Sequence, residues 1–384
     1  MVYLDNSATT KPWQEVLETY QEAASTYFGN PSSLHRPGSE AETLLNKARE
    51  SVASLLKAKP NEIIFTSGGT EGNNLAIKGA AIEHRKRGRH LVTTTVEHPS
   101  VKEAFSQLEA FGFEVTYVPV DKEGRVSPED VENAVRADTT LVSIIHVNNE
   151  MGTIQPIEEI GKRLEKYPKL YFHTDHVQGA AHNPLDLHEA KVDLCTISGH
   201  KFHGVKGTGA LFMKEGTVLS PLFHGGSQEQ TYRAGTENVP GITAMAKALR
   251  ISRERLAAEE KRLYQLRDFL IDSLSDIKGA EVNTPKRGAA PHIVNVSFPG
   301  VKPEVIIQSL TKRQYHLSTK SACSSKMQEP SAVIKAAGLG MERAESAIRA
   351  SFSFDTKEED VKKLIEVLNE IIPEMKKVMG AERS

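Results

Sequence analysis

Cysteine is nearly absent. The 384 residues contain only Cys195 and Cys323, too few for the disulfide framework of a secreted scaffold and too few for a cysteine-based metal site; counting alone leaves a single bridge open. An excess of one charge is missing as well. Forty-eight Lys and Arg stand against fifty Asp and Glu, a formal charge of −2, so no global field grips nucleic acid or an anionic membrane, and direct nucleic-acid binding is not expected. No apolar run approaches the roughly 18 residues of a membrane span, and Met1-Val-Tyr-Leu-Asp-Asn-Ser7 has neither a basic nor an apolar leader segment. These absences predict a soluble, cytoplasmic protein. What is present is 39% hydrophobic residues over a long chain, enough for more than one core and for two domains.

Between about residues 62 and 213 short β-branched runs alternate with helical stretches. Residues 62–66, 90–95, 115–119, 141–147, 170–174 and 194–198 read as buried strands. Continuous apolar strands separated by helices imply an α/β fold with a mainly parallel sheet covered on both faces. Ligands of such sheets bind beyond the carboxyl ends of the strands. From Gly241 to Leu274 the spacing predicts a long helix leading into a second domain. At the C-terminal end Thr356 and Glu359 fit a capping box, Val361, Leu364, Ile365, Leu368, Ile371, Ile372 and Met375 form one stripe, and Pro373 is expected to bend or end that helix. The basic cluster His84 to His90 reads as a solvated helix end and turn.

Three groups of residues carry chemistry. Ser67-Gly-Gly-Thr-Glu-Gly-Asn-Asn74 follows a strand and opens a helix; backbone N–H groups there, with Gly69 and the Thr70 hydroxyl, suit a phosphate, although a tight βα turn has the same sequence features. Asp175 and Ser198-Gly-His-Lys201 end consecutive strands, with Gln178 three residues past the acid. A lysine that forms a Schiff base and a carboxylate that keeps a pyridinium nitrogen charged are what pyridoxal phosphate requires; an ion pair at a sheet edge is the bland alternative. Ser198 and His200 add donors for a phosphate, and His98 follows another strand toward the same crevice. The pairs His173/His176 and His200/His203 offer no evident third ligand, so no metal site is expected. Cys195 sits in an apolar strand as a small hydrophobe, whereas Cys323 lies among small residues in Ser321-Ala-Cys-Ser-Ser325.

With these motifs in place, the chain resembles the pyridoxal-phosphate-dependent cysteine desulfurases of the class-V aminotransferase group. The resemblance runs from Tyr3-Leu-Asp-Asn-Ser-Ala-Thr-Thr10, through Phe28-Gly-Asn-Pro-Ser-Ser33-Leu-His35, to Ser321-Ala-Cys323. It implies an aspartate-aminotransferase-like fold (fold type I), with a mainly parallel seven-stranded sheet in a large domain, residues 13–250. A smaller α+β domain, residues 1–12 and 251–384, would carry the cysteine loop. It implies pyridoxal 5'-phosphate on Lys201, Asp175 at the ring nitrogen, Gln178 at the ring hydroxyl, and His98 stacked on the ring and moving protons. Gly69, Thr70, Ser198 and His200 resemble the phosphate cradle. Thr236 resembles a phosphate ligand supplied by the partner subunit, so a homodimer is implied. Asn149 resembles a residue near cofactor and substrate, and Arg349 one that holds the substrate carboxylate with its fork.

The same resemblance makes Cys323 the acceptor of sulfur from L-cysteine, as a persulfide passed onward, with Lys320 and Lys326 beside it to favour the thiolate. The segment after Arg349, Ala350-Ser-Phe-Ser-Phe354, lacks an arginine usual in the family, and the chain lacks the extended tail that docks an iron–sulfur scaffold. Both favour an acceptor in tRNA thiolation over iron–sulfur assembly. Competing readings are another class-V enzyme, such as an aminotransferase or a selenocysteine lyase, and a non-catalytic platform for sulfur transfer.

Overall fold

A computed structural model describes residues 1–319 and 329–378; Cys323, with Lys320 and Lys326, lies outside the described residues. Along the chain the elements are β1 (Val2–Tyr3), α1 (Gln14–Thr26), α2 (Arg36–Leu55), β2 (Ile63–Thr66), α3 (Gly69–His84), β3 (His90–Thr94), α4 (Pro99–Ala110), β4 (Glu114–Val118), α5 (Pro128–Asn133), β5 (Thr139–Ile145), α6 (Ile157–Leu164), β6 (Tyr171–Asp175), β7 (Leu194–Ser198) and β8 (Gly209–Met213). There follow α7 (Val239–Ser275), β9 (Glu281–Val282), β10 (Ile293–Ser297), α8 (Pro303–Lys312), β11 (Tyr315–His316), α9 (Ala332–Ala336), α10 (Met341–Glu345), β12 (Ala347–Ser351) and α11 (Glu358–Val378).

The main sheet has seven strands in the order β2-β8-β7-β6-β5-β3-β4. Strands β4, β3, β5, β6 and β7 pair in parallel, and β8 runs antiparallel to both β7 and β2. All strands but β8 therefore point the same way, and their carboxyl ends share one edge. The strands are apolar on both faces because helices cover both: β5, β6 and β7 are almost wholly buried. Cys195 belongs to this core, fully buried in β7.

A smaller antiparallel sheet, β12-β10-β9, lies under α11 and the end of α7, with a second core that includes Leu4, Leu270, Leu274, Phe298, Ile348, Leu364 and Leu368. Helix α7, capped where the Asn238 side chain accepts from Gly241 N–H at 3.1 Å, serves both cores. Ile242, Met245 and Leu249 pack on the large one, Leu266, Leu270 and Leu274 on the small one.

The end of the chain departs from expectation in two ways. Thr356 does not cap α11; its hydroxyl accepts from Ser353 N–H, and Asp360 reaches back to Lys357 N–H instead. Pro373 lies inside α11, which continues to Val378. The proline gives up one backbone bond, but Ile371 and Ile372 are buried beside it and Met375 packs beyond it, each apolar side chain contributing about 1.5–3 kcal/mol of burial. The cluster at 84–90 is solvated only in part: Arg85, Lys86, Arg87 and Arg89 are exposed, whereas His84 is buried against Val218 O and His90 lies inside β3.

Candidate active site

The shared carboxyl edge of the strands opens into a cleft of about 660 Å³, its solvent-open mouth included. Gly69, Thr70, His98, Asn149, Asp175, Gln178, Ser198, His200, Lys201 and Arg349 all line it. These residues come from six separate segments, five at the ends of β2, β3, β5, β6 and β7 and one in the small sheet at β12. Thr236 does not reach the cleft; it lies exposed in the loop before α7. His173 and His176 are spent on Ser143 and His146 respectively, and among the described residues no group of three or more His, Cys, Asp or Glu is arranged to hold a metal ion.

One wall is the start of α3. Gly68, at φ 153°, turns the chain out of β2 so that the first N–H groups of a sixteen-residue helix face the cleft. A Cβ on Gly69 would lie 2.8 Å from Val177 and one on Gly68 would stand 3.6 Å from Ser198 Oγ. Ser198 Oγ is itself buried without a hydrogen-bond partner. A donor left unsatisfied beside a helix N-terminus is a site for an anion.

At the floor, Asp175 is the last residue of β6. Its Oδ1 accepts from Val177 N–H at 3.0 Å and its Oδ2 from Asn73 Nδ2 at 2.8 Å. The same Asn73 nitrogen lies 2.9 Å from Ser100 Oγ, which stands 2.8 Å from His98 Nδ1. Ser100 N–H also donates to His98 Nδ1 at 3.2 Å. With Nδ1 accepting, the proton belongs on Nε2, and burial, then the nearby Lys201 and Arg349 charges, hold this imidazole below its ordinary pKa despite the opposing pull of Asp175. His200 is pushed down further, to about 3, by burial and the Lys201, Lys206 and His98 charges. Both rings are neutral at physiological pH.

The turn after β1 lines the mouth with Ser7 and Ala8. Lys201 Nζ donates to the carbonyls of Ser7 and Ala8, the latter at 2.8 Å, and Gln178 Nε2 donates to Ser7 O at 2.9 Å. Arg349 is fully buried. Its fork donates to Asn149 O at 2.7 Å and to Asp5 Oδ1 at 2.9 Å, leaving Nε unpartnered. Desolvation raises the Asp5 carboxyl, with Arg349 pulling the other way. Beneath His98, the buried Glu97 carboxyl takes Thr94 Oγ1 at 2.6 Å and Ile145 N–H at 3.0 Å. Burial first, and the Asp175 charge after it, lift its pKa to about 8.

Sequence reasoning missed Asn73, Ser100, Asp5, Ser7, Ala8 and Glu97. Asn73 had a local signal, since it stands three residues after Thr70 in the same helix and so shares its face. Asp5, Ser7 and Ala8 lay inside a recognised motif, but their partners are between 171 and 344 residues away.

Residues 2–364 match the model of the class-V aminotransferases. The chain is 46% identical over 378 residues to a cysteine desulfurase IscS of Dictyoglomus turgidum, covering 98% of this chain and 96% of the relative. It is 44% identical to the cysteine desulfurase IscS of Methanosarcina thermophila, covering 98% and 93%. Among solved structures, a NifS-like protein superposes with a TM-score of 0.91 at 38% identity over 97% of this chain and 99% of that one. A NifS-like protein of Rickettsia africae gives 0.87 at 30% identity, covering 97% and 99%.

Fold and cleft define a fold-type-I enzyme that uses pyridoxal phosphate. The chain belongs to the class-V aminotransferase family, in its cysteine desulfurase group. The cofactor fits the residues present: an unsatisfied hydroxyl and a helix N-terminus stand ready for a phosphate, a lysine amine and an oriented carboxylate share the same cleft, and two neutral imidazoles line it.

Proposed function

We propose that this chain is a cysteine desulfurase that moves the sulfur of L-cysteine onto Cys323, releasing L-alanine. The observation that carries this reading is the convergence of Lys201, Asp175, His98 and Arg349 on one cleft. Pyridoxal phosphate, when bound, supplies an aromatic ring that withdraws electrons from the bonds around the substrate amino carbon.

In this reading Lys201 Nζ would leave the Ser7 and Ala8 carbonyls to hold the cofactor and would move protons at the substrate. Asp175, its carboxylate already oriented by Asn73 and Val177, would stand against the ring nitrogen. Gln178 would serve the ring hydroxyl. Gly69, Thr70, Ser198 and His200 would hold the phosphate. His98 would lie against the ring face, its proton on Nε2, as a neutral imidazole able to give or take a proton there. Arg349 retains donors for the substrate carboxylate after satisfying Asp5 and Asn149 O, which keep the fork rigid; Asn149 flanks the substrate. The Cys323 thiolate takes the sulfur as substrate Cβ–Sγ breaks, so Cys323 ends as a persulfide and a proton replaces sulfur on the β-carbon.

We further propose a homodimer in which Thr236 serves the partner subunit's phosphate. The chain would divide into a large cofactor-binding unit, residues 13–250, and a small unit, residues 1–12 and 251–384. No helix among the described residues is long and apolar enough to cross a membrane, and we place the protein in the cytoplasm. The onward acceptor is an enzyme of tRNA thiolation rather than an iron–sulfur scaffold. The segment after Arg349 supports this choice, since it carries no arginine and instead buries Phe352 and Phe354.

Incubation with L-cysteine and a reductant tests the reading. Wild type is expected to be yellow and to yield alanine and sulfide in equal amounts. Lys201→Ala should lose the visible band, and Cys323→Ser should keep the colour yet release no sulfide. Amino transfer to a keto acid without sulfur release would make the protein an aminotransferase, and full activity of Cys323→Ser would refute its assignment.

A further inference from the structure

The loop between β8 and α7 contains three consecutive non-glycine residues in left-handed conformation: Glu229 at φ 45°, Gln230 at 57° and Thr231 at 72°. No other described non-glycine residues do this in succession. Such backbone, with a β-branched threonine in it, persists only where surrounding contacts over-determine it. Most of the loop around it faces solvent, Phe223 and Thr236 included.

What holds the turn lies underneath. The Glu229 side chain is buried and meets the nearly buried Arg49 of α2 fork to fork, at 2.6 and 2.8 Å. Phe65 N–H donates to the same carboxylate at 2.8 Å, Arg49 also donates to Ile63 O at 2.6 Å, and its guanidinium lies 4.7 Å from the centre of the Phe65 ring. Gln230 Nε2 donates to Asn61 O at 3.0 Å. A second ion pair joins Arg233 to Glu71 at 3.0 Å, and Glu71 in turn accepts from Ser67 N–H at 2.9 Å. Arg49 belongs to α2 but reaches on to Ile63 O, and the other ties end on Phe65 of β2, on Asn61 just before it, or on Glu71 in the first turn of α3, so all of them bear on the segment that presents Gly69 and Thr70 to the cleft.

We propose that the buried Arg49–Glu229 pair is a positioning device that locks the 227–236 loop to this chain's phosphate cradle, so that Thr236 is presented preformed to the cofactor phosphate of a second copy of the chain. The proposal rests on the reading of Thr236 given above. A flexible loop would have to be ordered each time the cofactor binds, whereas a clamped one has already lost that freedom when the chain folds. The shared anchor also ties this chain's own phosphate cradle to the threonine it would supply to the second copy's site.

The test combines amide hydrogen exchange with cofactor titration of full-length apoprotein, followed by visible absorbance, in a cycle of Glu229→Gln and Thr236→Ala. Glu229→Gln should speed exchange across residues 227–236 and raise the dissociation constant for pyridoxal phosphate about tenfold. In the Thr236→Ala background the same substitution should raise it less than about twofold. Equal penalties in both backgrounds would make the pair a general structural contact and overturn the proposal, as would unchanged exchange. If Thr236→Ala alone leaves cofactor affinity untouched, the reading of Thr236 fails and the proposal with it. Exchange that quickens in a protein taking up no cofactor would sink the enzymatic reading while showing that the clamp itself holds. Should Glu229→Gln not fold, Arg49→Lys keeps a cation on the carboxylate, gives up the fork, and reads the same coupling.

Discussion

Glu97 makes this protein sensitive to alkali in a way that one substitution should erase. Its side chain is buried, accepts from Thr94 Oγ1 and Ile145 N–H, and keeps Oε2 unpartnered. Its folded pKa is about 8 against 4.5 for the free side chain. Below pH 4.5 both folded and unfolded chains carry the proton and the difference has no effect. Between 4.5 and about 8 the unfolded chain ionises while the folded one stays protonated, so stability falls as pH rises. At about 1.4 kcal/mol per pH unit that interval sets a ceiling of about 5 kcal/mol, reached near pH 8 and constant above it. Glu97→Gln keeps an oxygen for Thr94 and Ile145 and cannot ionise. Denaturant midpoints of variant and wild type measured from pH 5 to 9 should therefore diverge in favour of the variant, the gap widening to about pH 8 and then levelling. Parallel curves would refute the assignment of a neutral buried acid beside Asp175.

Two further substitutions probe the cleft and its support. Asn73→Ala removes a donor from the Asp175 carboxylate, a bond of about 1.5–3 kcal/mol, and the donor to Ser100 Oγ, so that the Ser100–His98 pair is no longer linked to Asp175; kcat should drop about tenfold or more while cofactor stays bound, and an unchanged kcat would contradict the linkage drawn here. Gly209→Ala places a Cβ 2.7 Å from Gly68 Cα and 2.8 Å from Ile197 O, both backbone atoms that cannot swing aside, so a loss of about 1–3 kcal/mol in a melting or denaturant curve is expected, and a variant as stable as wild type would show the cradle to be more yielding than its packing indicates.

The residues most legible in the sequence were those whose signal is local. Asp175 and Lys201 each end an apolar run, and chain direction alone puts the ends of parallel strands on one edge, so their meeting follows from topology. Gly69 and Thr70 open a helix directly after a strand. Helix α7 was readable because its apolar period persists for ten turns. Pro373 and Thr356 misled, because a propensity for ending or capping a helix is worth little against a stripe that buries Ile371 and Ile372 on the small core. The histidines at 84 and 90 were read with the basic residues between them, although only Arg85, Lys86, Arg87 and Arg89 of that cluster face solvent.

By itself, the order of residues determined the α/β alternation, the edge of the sheet where chemistry gathers, and the identity of the lysine and acid there, since each depends on spacing along a few neighbouring residues. Only the folded chain decided that Asn73 joins Asp175 to the His98 side through Ser100, that Ser7 and Ala8 receive the Lys201 amine, that Asp5 pairs with Arg349, and that Glu229 is clamped by Arg49. Apart from the local Ser100–His98 bond, those contacts span from 27 to 344 positions of sequence, and a side chain's partner at such range is set by how whole elements pack, which no local pattern encodes.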